Sequence, residues 1–130
     1  MAAVFRLVVI SALAGSLALP AAAAPASTTR HLHESDSGRT IHVPPGDKLT
    51  VQLPGGSGGG YHRPRSSNEY VVDRVWSAGG YPSDADAQAN FFARHRGKSD
   101  LTSITDYLCL HTNPRCLPPQ KQWVVHIVVD

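Results

Sequence analysis

Short runs of alternating apolar and polar residues, interrupted by glycine and proline, constrain the fold more than any other feature of this chain. Residues 39–43 (RTIHV) and 48–53 (KLTVQL) alternate with a period of two, and Pro-Pro-Gly-Asp separates them. Successive side chains of a strand point to opposite faces, so each run offers one face to a core and one to solvent. The pattern predicts strand, turn, strand.

The second half of the chain contains three further segments with the composition of β-strands. Residues 69–76 (EYVVDRVW), 101–110 (LTSITDYLCL) and 120–129 (QKQWVVHIVV) are rich in β-branched and aromatic residues, which favours strands. Asp106 interrupts the apolar alternation of the second segment and indicates a bulge or an edge position. Residues 88–95 are short and aromatic; a helix over 84–94 is the alternative there, although no 3.6-residue stripe supports it.

These segments predict an all-β fold: a two-sheet antiparallel β-sandwich of six to eight strands in one domain. No internal repeat is visible, and 130 residues suffice for one core only. The large candidate core residues are Trp76, Trp123, Phe91, Phe92 and Tyr107.

The first 24 residues have the organisation of a secretory signal peptide. Arg6 precedes an apolar run of 13 residues (7–19), and a tract of small residues follows. The run is shorter than the roughly 20 residues that span a bilayer, so cleavage is expected, with a retained anchor as the alternative. The predicted organisation is signal peptide 1–24, flexible tail 25–37 and domain 38–130, in a protein that is secreted or in the periplasm or cell envelope and free of the membrane after cleavage.

The charge balance argues against nucleic acid or anionic lipid as the main partner. The chain has 12 basic and 10 acidic residues, and loss of Arg6 with the signal peptide leaves 11 against 10, a formal charge of +1. Proteins that bind polyanions mainly through charge have a large excess of basic residues. The local cluster of Arg63, Arg65, Arg94 and Arg96 is interpreted as a solvated face.

Two cysteines occur in a chain expected to reach an oxidising compartment. Cys109 and Cys116 are therefore predicted to form a disulfide. Closing so short a loop removes roughly 2.5 kcal/mol of unfolded-state entropy, so the bond shapes the segment HTNPR more than it holds the fold. No metal site is expected, because the cysteine spacing is long for chelation and the seven histidines are scattered. No cofactor is expected either.

The zinc-peptidase motif H-E-x-x-H does not occur in the sequence, and the two cysteines are expected to be oxidised, which removes a thiolate nucleophile. The chain is therefore predicted not to be an enzyme. One alternative stays open, a small secreted ribonuclease-like hydrolase with a carboxylate base, an imidazole acid and guanidinium groups for phosphate charge. Its residues would be Glu69, His95 or His111, and Arg63, Arg65 and Arg94.

A binding role has a more definite basis in three loops. Residues 54–60 and 77–82 are glycine-rich, and the disulfide would close a loop that contains residues 111–115. Loops separated by two strands fall at the same end of an antiparallel sandwich, so the three would form one surface. Tyr61 and Tyr81 at the loop ends would offer contact area at low entropy cost. The alternative is that these are connecting loops only.

Several of these segments together resemble the chagasin-type inhibitors of papain-like cysteine peptidases. The resemblance lies in the layout of GDKLTVQLP, a loop closing in Gly60-Tyr61, a Gly-Gly loop after Trp76, the run FFAR, LTSITDY and a terminal Val/Ile strand. It covers about residues 39–130.

The resemblance implies an immunoglobulin-like sandwich that inserts three loops into a peptidase cleft. The family's first loop reads N-P-T-T-G-[YF], and here only Gly60 and Tyr61 match; its third loop carries R-P-W, and here HTNPR has no tryptophan. The implied loop residues are Gly58, Gly59, Gly60, Tyr61, Gly79, Gly80, Tyr81, His111, Thr112, Asn113, Pro114 and Arg115. Loss of the family's threonine and tryptophan implies inhibition that is weak, retargeted or lost.

The sequence thus leaves three functions open. The first is a monomeric, secreted inhibitor whose partners are papain-like cysteine peptidases. The second is the hydrolase based on Glu69 and a histidine. The third is a non-catalytic binding module of the cell envelope.

Overall fold

The computed structural model describes residues 15–21 and 26–130. In the described part, ten strands and two short 3₁₀ helices, Glu34–Asp36 and Leu108–His111, follow one another. The strands are β1 Thr29–Leu32, β2 Thr40–Val43, β3 Lys48–Leu53, β4 Gly55–Gly56, β5 Gly59–Tyr61, β6 Arg65–Ser66, β7 Val72–Ala78, β8 Ala87–Ala93, β9 Gly97–Tyr107 and β10 Gln122–Val129.

The strands form two sheets that enclose the core as a sandwich. One sheet has the order β1-β3-β8-β7, and the other has the order β2-β10-β9-β5-β4, with β6 paired to β9 beside β5. The long strand β9 organises the second sheet, since it pairs antiparallel with β10, β5 and β6. The all-β sandwich predicted from the alternation is confirmed.

The sheets are mixed, which differs from the purely antiparallel arrangement expected. β1 lies parallel to β3, and β2 lies parallel to β10. Both parallel strands are edge strands that reach their position by long connections, a feature that alternation does not encode. The strand number rises to ten because β4 and β6 have only two residues each. Residues 87–93 are strand, so the helix alternative over 84–94 is wrong.

The N-terminal segment differs from the flexible tail expected over residues 25–37. Within it, β1 pairs with β3 from Thr29 to Leu32, and Leu32 is only 3% exposed. The buried carboxylate of Asp47 accepts hydrogen bonds from the backbone N–H of Thr28 at 3.0 Å and from its hydroxyl at 2.8 Å. A partner 19 residues away therefore orders this segment.

The core is one apolar cluster between the sheets. Strands β3, β8, β9 and β10 alternate strictly between buried and outward residues for most of their length, as the period of two requires. Its largest side chains are Trp123, Phe91, Leu49, Leu53 and Leu101.

Not all the aromatic residues expected in the core lie there. Trp123 and Phe91 are fully buried, as predicted, whereas Trp76 is 47% exposed and Phe92 and Tyr107 are half-buried. The pairing of β7 with β8 shifts register between Arg74 and Trp76. A one-residue shift moves a side chain to the other face of a sheet, which places Trp76 outward.

Most of the predicted signal peptide lies outside the described residues, which include only 15–21 of it. It stays a prediction. Within the described part of the chain, no helix has the length and apolar composition that crossing a membrane requires.

Candidate functional site

The direction of the strands brings three loops to one end of the sandwich. The first loop (residues 54–61) follows β3, the second (79–86) follows β7, and the third (108–121) follows β9. Leu53 pairs with Ala87 and Ala78 pairs with Gln88, so the first two loops leave the four-stranded sheet at the same end. Gly59 pairs with Tyr107, which joins the first loop to the third. Together these loops form the candidate loop surface.

The second loop supports the first through hydrogen bonds. The carboxylate of Asp86 accepts one from the backbone N–H of Gly55 and another from the side chain of Gln52, both at 2.9 Å. The Gly55 N–H is the larger cause that holds the pKa of Asp86 below its ordinary value. The backbone N–H of Tyr81 donates to the carbonyl of Tyr61 at 2.9 Å. The two loops are therefore fixed to each other.

Glycine permits this close approach at two positions of the second loop. Gly79 has φ +62°, and a Cβ there would collide with the carbonyl oxygen of Asp86. Gly80 has φ +77°, and a Cβ there would lie 3.1 Å from the carbonyl oxygen of Tyr61. Both positions require the left-handed conformation and the missing side chain.

The first loop forms a glycine hairpin that rests on the start of the third. Gly55 and Gly56 pair with Gly60 and Gly59, and Gly58 at the tip has φ +76° with nothing within 4 Å of an added Cβ. The carbonyl of Gly58 accepts a hydrogen bond from the N–H of Leu108 at 2.9 Å. The hairpin backbone is thus accessible at its tip and held at its base.

Asp106 joins the base of the surface to the third loop. Its two carboxylate oxygens contact the Nε2 atoms of His62 at 3.0 Å and His111 at 2.8 Å. Burial alone would raise the pKa of Asp106, but the hydrogen bonds of His62, His111 and the Tyr107 N–H outweigh it and lower the pKa. The ring of Tyr81 lies 5.2 Å from that of His62 and 6.0 Å from that of His111. Burial and the Asp106 charge raise the pKa of Tyr81.

The disulfide closes the third loop as predicted. Cys109 and Cys116 are bonded, with Cα atoms 5.2 Å apart. The N–H of Cys116 donates to the carbonyl of Cys109, and the hydroxyl of Thr112 hydrogen-bonds the carbonyls of Cys109 and Pro114. Residues 111–115 are all exposed, so this loop presents its side chains outward.

Tyr61 does not have the exposed position expected of it. It is 4% exposed, and its hydroxyl donates to Glu34 at 3.2 Å. Burial, followed by the charge of Glu34, raises the pKa of Tyr61 to about 12. Strand β5 turns this ring into the core, so Tyr61 supports the surface from beneath. Gly80 is buried as well, whereas Tyr81 is half-buried at the rim.

The residues of the hydrolase alternative are divided between the two ends of the sandwich. His111 and Arg63 lie at the loop end, where Arg63 donates to the carbonyl of Gly79. Glu69 is exposed and precedes β7, at the opposite end of the sandwich. His95 stacks there on Tyr70 with ring centroids 4.0 Å apart. Among the described residues, no group of three or more His, Cys, Asp or Glu side chains has an arrangement that could hold a metal ion.

Sequence reasoning missed Asp106, His62 and Asp86 as parts of this surface. The only signal for Asp106 was its interruption of an apolar alternation. Its histidine contacts span 44 and 5 residues of sequence, and nothing in either segment predicts them. Asp86 contacts partners more than 30 residues away and lies in a loop without any motif.

Two sheets with three loops converging at one end define the class of this domain, a β-sandwich that presents a loop surface. No protein-family description matches the chain, and no curated protein matches its sequence. Among solved structures, the cysteine protease inhibitor EhICP2 from Entamoeba histolytica superposes with a TM-score of 0.61 at 11% identity, over 82% of this chain and 100% of that chain. Amebosin, at a TM-score of 0.48 and 14% identity, matches over the same shares. The chain therefore has the fold of a chagasin-type inhibitor, as the resemblance predicted.

Proposed function

We propose that this protein is a secreted, non-catalytic inhibitor that occupies the active-site cleft of papain-like cysteine peptidases with the candidate loop surface. The observation that carries the proposal is the mutual fixation of the loops: Tyr81 N–H on the Tyr61 carbonyl, Leu108 N–H on the Gly58 carbonyl, and His111 on Asp106. The shared fold with a cysteine protease inhibitor supports the same conclusion. The disulfide supports export, because such bonds persist in oxidising compartments.

Fixed loops favour tight binding because little conformational freedom is lost on association. Immobilising a flexible side chain or loop costs about 0.5–1.5 kcal/mol per ordered side chain. Here the hydrogen bonds within the protein have already ordered the three loops. The glycine tip at Gly58 allows the backbone to approach a partner closely, since no Cβ intervenes.

The surface differs in chemistry from the family's pattern. In place of the family's threonines, the first loop offers Ser57 at its exposed tip. In place of the tryptophan, the rings of Tyr81 and His111 lie side by side and offer area for stacking. We therefore expect binding to a subset of papain-like peptidases that accepts smaller side chains in the first loop.

Inhibition tests this proposal directly. The exported protein, titrated against several papain-like peptidases with a peptide substrate, should inhibit at least one at micromolar concentration or below. Ser57→Arg adds a bulky charge at the hairpin tip and should raise the inhibition constant about tenfold or more, because it prevents entry into a cleft.

A matched control comes from the opposite end of the sandwich. Pro45 is exposed in the turn between β2 and β3, so Pro45→Arg adds the same charge and bulk away from the loops. It should leave the inhibition constant within about twofold, and both variants should keep the wild-type circular dichroism spectrum. Absence of inhibition in every enzyme, or equal losses in the two variants, would overturn the proposal. The envelope binding module and the hydrolase would then be the remaining functions.

A further inference from the structure

A basic cleft lies beside the candidate loop surface. It has a volume of about 630 Å³ and opens next to residues 62–64, which connect β5 to β6. Arg63, Arg65 and Arg74 line it together with Thr102, Gln122 and Tyr81. Of the four arginines that the sequence places in one cluster, Arg63 and Arg65 line this cleft, whereas Arg94 and Arg96 do not. The third arginine of the cleft is Arg74, from β7 at the edge of the other sheet.

The three guanidinium groups lack a counter-ion within the described chain. Arg30, Arg39 and Arg94 each contact a carboxylate, whereas no described carboxylate lies within ion-pair distance of Arg63, Arg65 or Arg74. The residues that line the cleft include no aspartate or glutamate. Asp106, behind His62, has both oxygens engaged by His62 and His111.

Two of these arginines are held in place by the backbone. Arg63 Nε donates to the carbonyl of Gly79 at 2.9 Å, and Arg74 Nη1 donates to the carbonyl of Pro64 at 2.9 Å. Their remaining N–H groups form no hydrogen bond to another described residue, so they can donate to a ligand in the cleft that these side chains line. Guanidinium groups match carboxylates in planar, paired hydrogen bonds, so a fixed cluster of them suits an acidic side chain.

We propose that this cleft binds an acidic segment of the protein partner that the loop surface engages, an inference that rests on the proposed function. Tyr81 belongs to both regions, since its ring faces His111 of the third loop and lines the cleft. A partner seated on the loops would therefore extend over the arginines. A sulfated polysaccharide fits less well, because the chain is close to neutral overall and long polyanions need extended basic stripes.

Charge reversal of one arginine tests the contribution to the partner complex. Arg65 is exposed and its side chain forms no hydrogen bond or ion pair among the described residues, so Arg65→Glu should fold normally. It should slow association with a sensitive peptidase and raise the inhibition constant about tenfold at low salt, and high salt should reduce this difference. The control is Arg96→Glu, the same charge change at an exposed position of the opposite end, with an expected effect of about twofold or less. Equal effects of the two variants would overturn the inference while leaving the proposed function intact.

A peptidase-free experiment separates the cleft from the loops. A tetraglutamate peptide titrated into the wild-type protein should shift the amide NMR signals of Thr102 and Gln122, and Arg65→Glu should abolish these shifts. Such binding without any peptidase inhibition would support the acidic-segment cleft and end the peptidase assignment. Failure of tetraglutamate to bind, with a sulfated oligosaccharide shifting the same signals, would overturn the inference.

Discussion

At the scale of single residues, the candidate loop surface depends on glycines that have different surroundings. Gly58 and Gly79 both have positive φ angles, of +76° and +62°. Open space surrounds the first, whereas the carbonyl of Asp86 blocks the second. The same substitution at the two positions therefore separates backbone strain from steric collision.

We expect Gly79→Ala to destabilise the protein more than Gly58→Ala. At Gly58 the cost is the left-handed conformation alone, about 1–2 kcal/mol. At Gly79 the second loop must also move away from Asp86, so the total loss should exceed about 3 kcal/mol. Urea unfolding of both variants measures the difference, and equal losses of unfolding free energy would mean that the Asp86 carbonyl does not constrain Gly79.

A second prediction at this scale concerns pH and Asp106. Because the pKa of the folded carboxyl lies below its usual value of 3.8, the charged form contributes stability above that value, and the contribution is lost as the pH falls through the folded pKa. Asp106→Asn should therefore flatten the fall of the unfolding free energy between about pH 4 and pH 2. Unfolding curves across this range test it; identical slopes in the two proteins would exclude the role of the His62 and His111 hydrogen bonds.

At the scale of elements, the strands that alternate were predictable and the N-terminal strand was not. β3 and β10 carry their burial pattern in their own residues, so local sequence was enough. β1 has the burial pattern exposed, exposed, exposed, buried, which has no period. Its position depends on Asp47 and on pairing with β3, contacts that become visible only when the chain is folded.

Leu32→Ala tests whether β1 is part of the packed domain. Leu32 is 3% exposed, and removing a buried leucine side chain typically costs 2–5 kcal/mol. We expect a loss of about 2–4 kcal/mol of unfolding free energy in urea titrations. Thr29→Ala, at an exposed position of the same strand, is the control and should cost about 0.5 kcal/mol or less. A negligible loss for Leu32→Ala would return this segment to the flexible tail of the sequence-based expectation.

At the scale of the whole molecule, the convergence of the loops followed from strand direction, which the sequence supplied. Strand direction did not predict which side chains form the loop surface. Tyr61 was expected outward because it lies at the end of a loop, yet β5 is a paired strand whose last residue faces the core. Trp76 was expected inward, and a register shift turns it out. The contact of Asp106 with His62 and the basic cleft both join residues that are far apart in the sequence. Contacts of this kind produce no pattern within a single segment of sequence.

The edges of both sheets are short or irregular. β1 and β2 have four residues each and β4 has two, while the register of β7, the longest edge strand, shifts between Arg74 and Trp76. Long, flat edge strands are templates on which further chains stack. Such a template is interrupted here at all four margins, which protects the molecule from amyloid-like growth along its sheet edges.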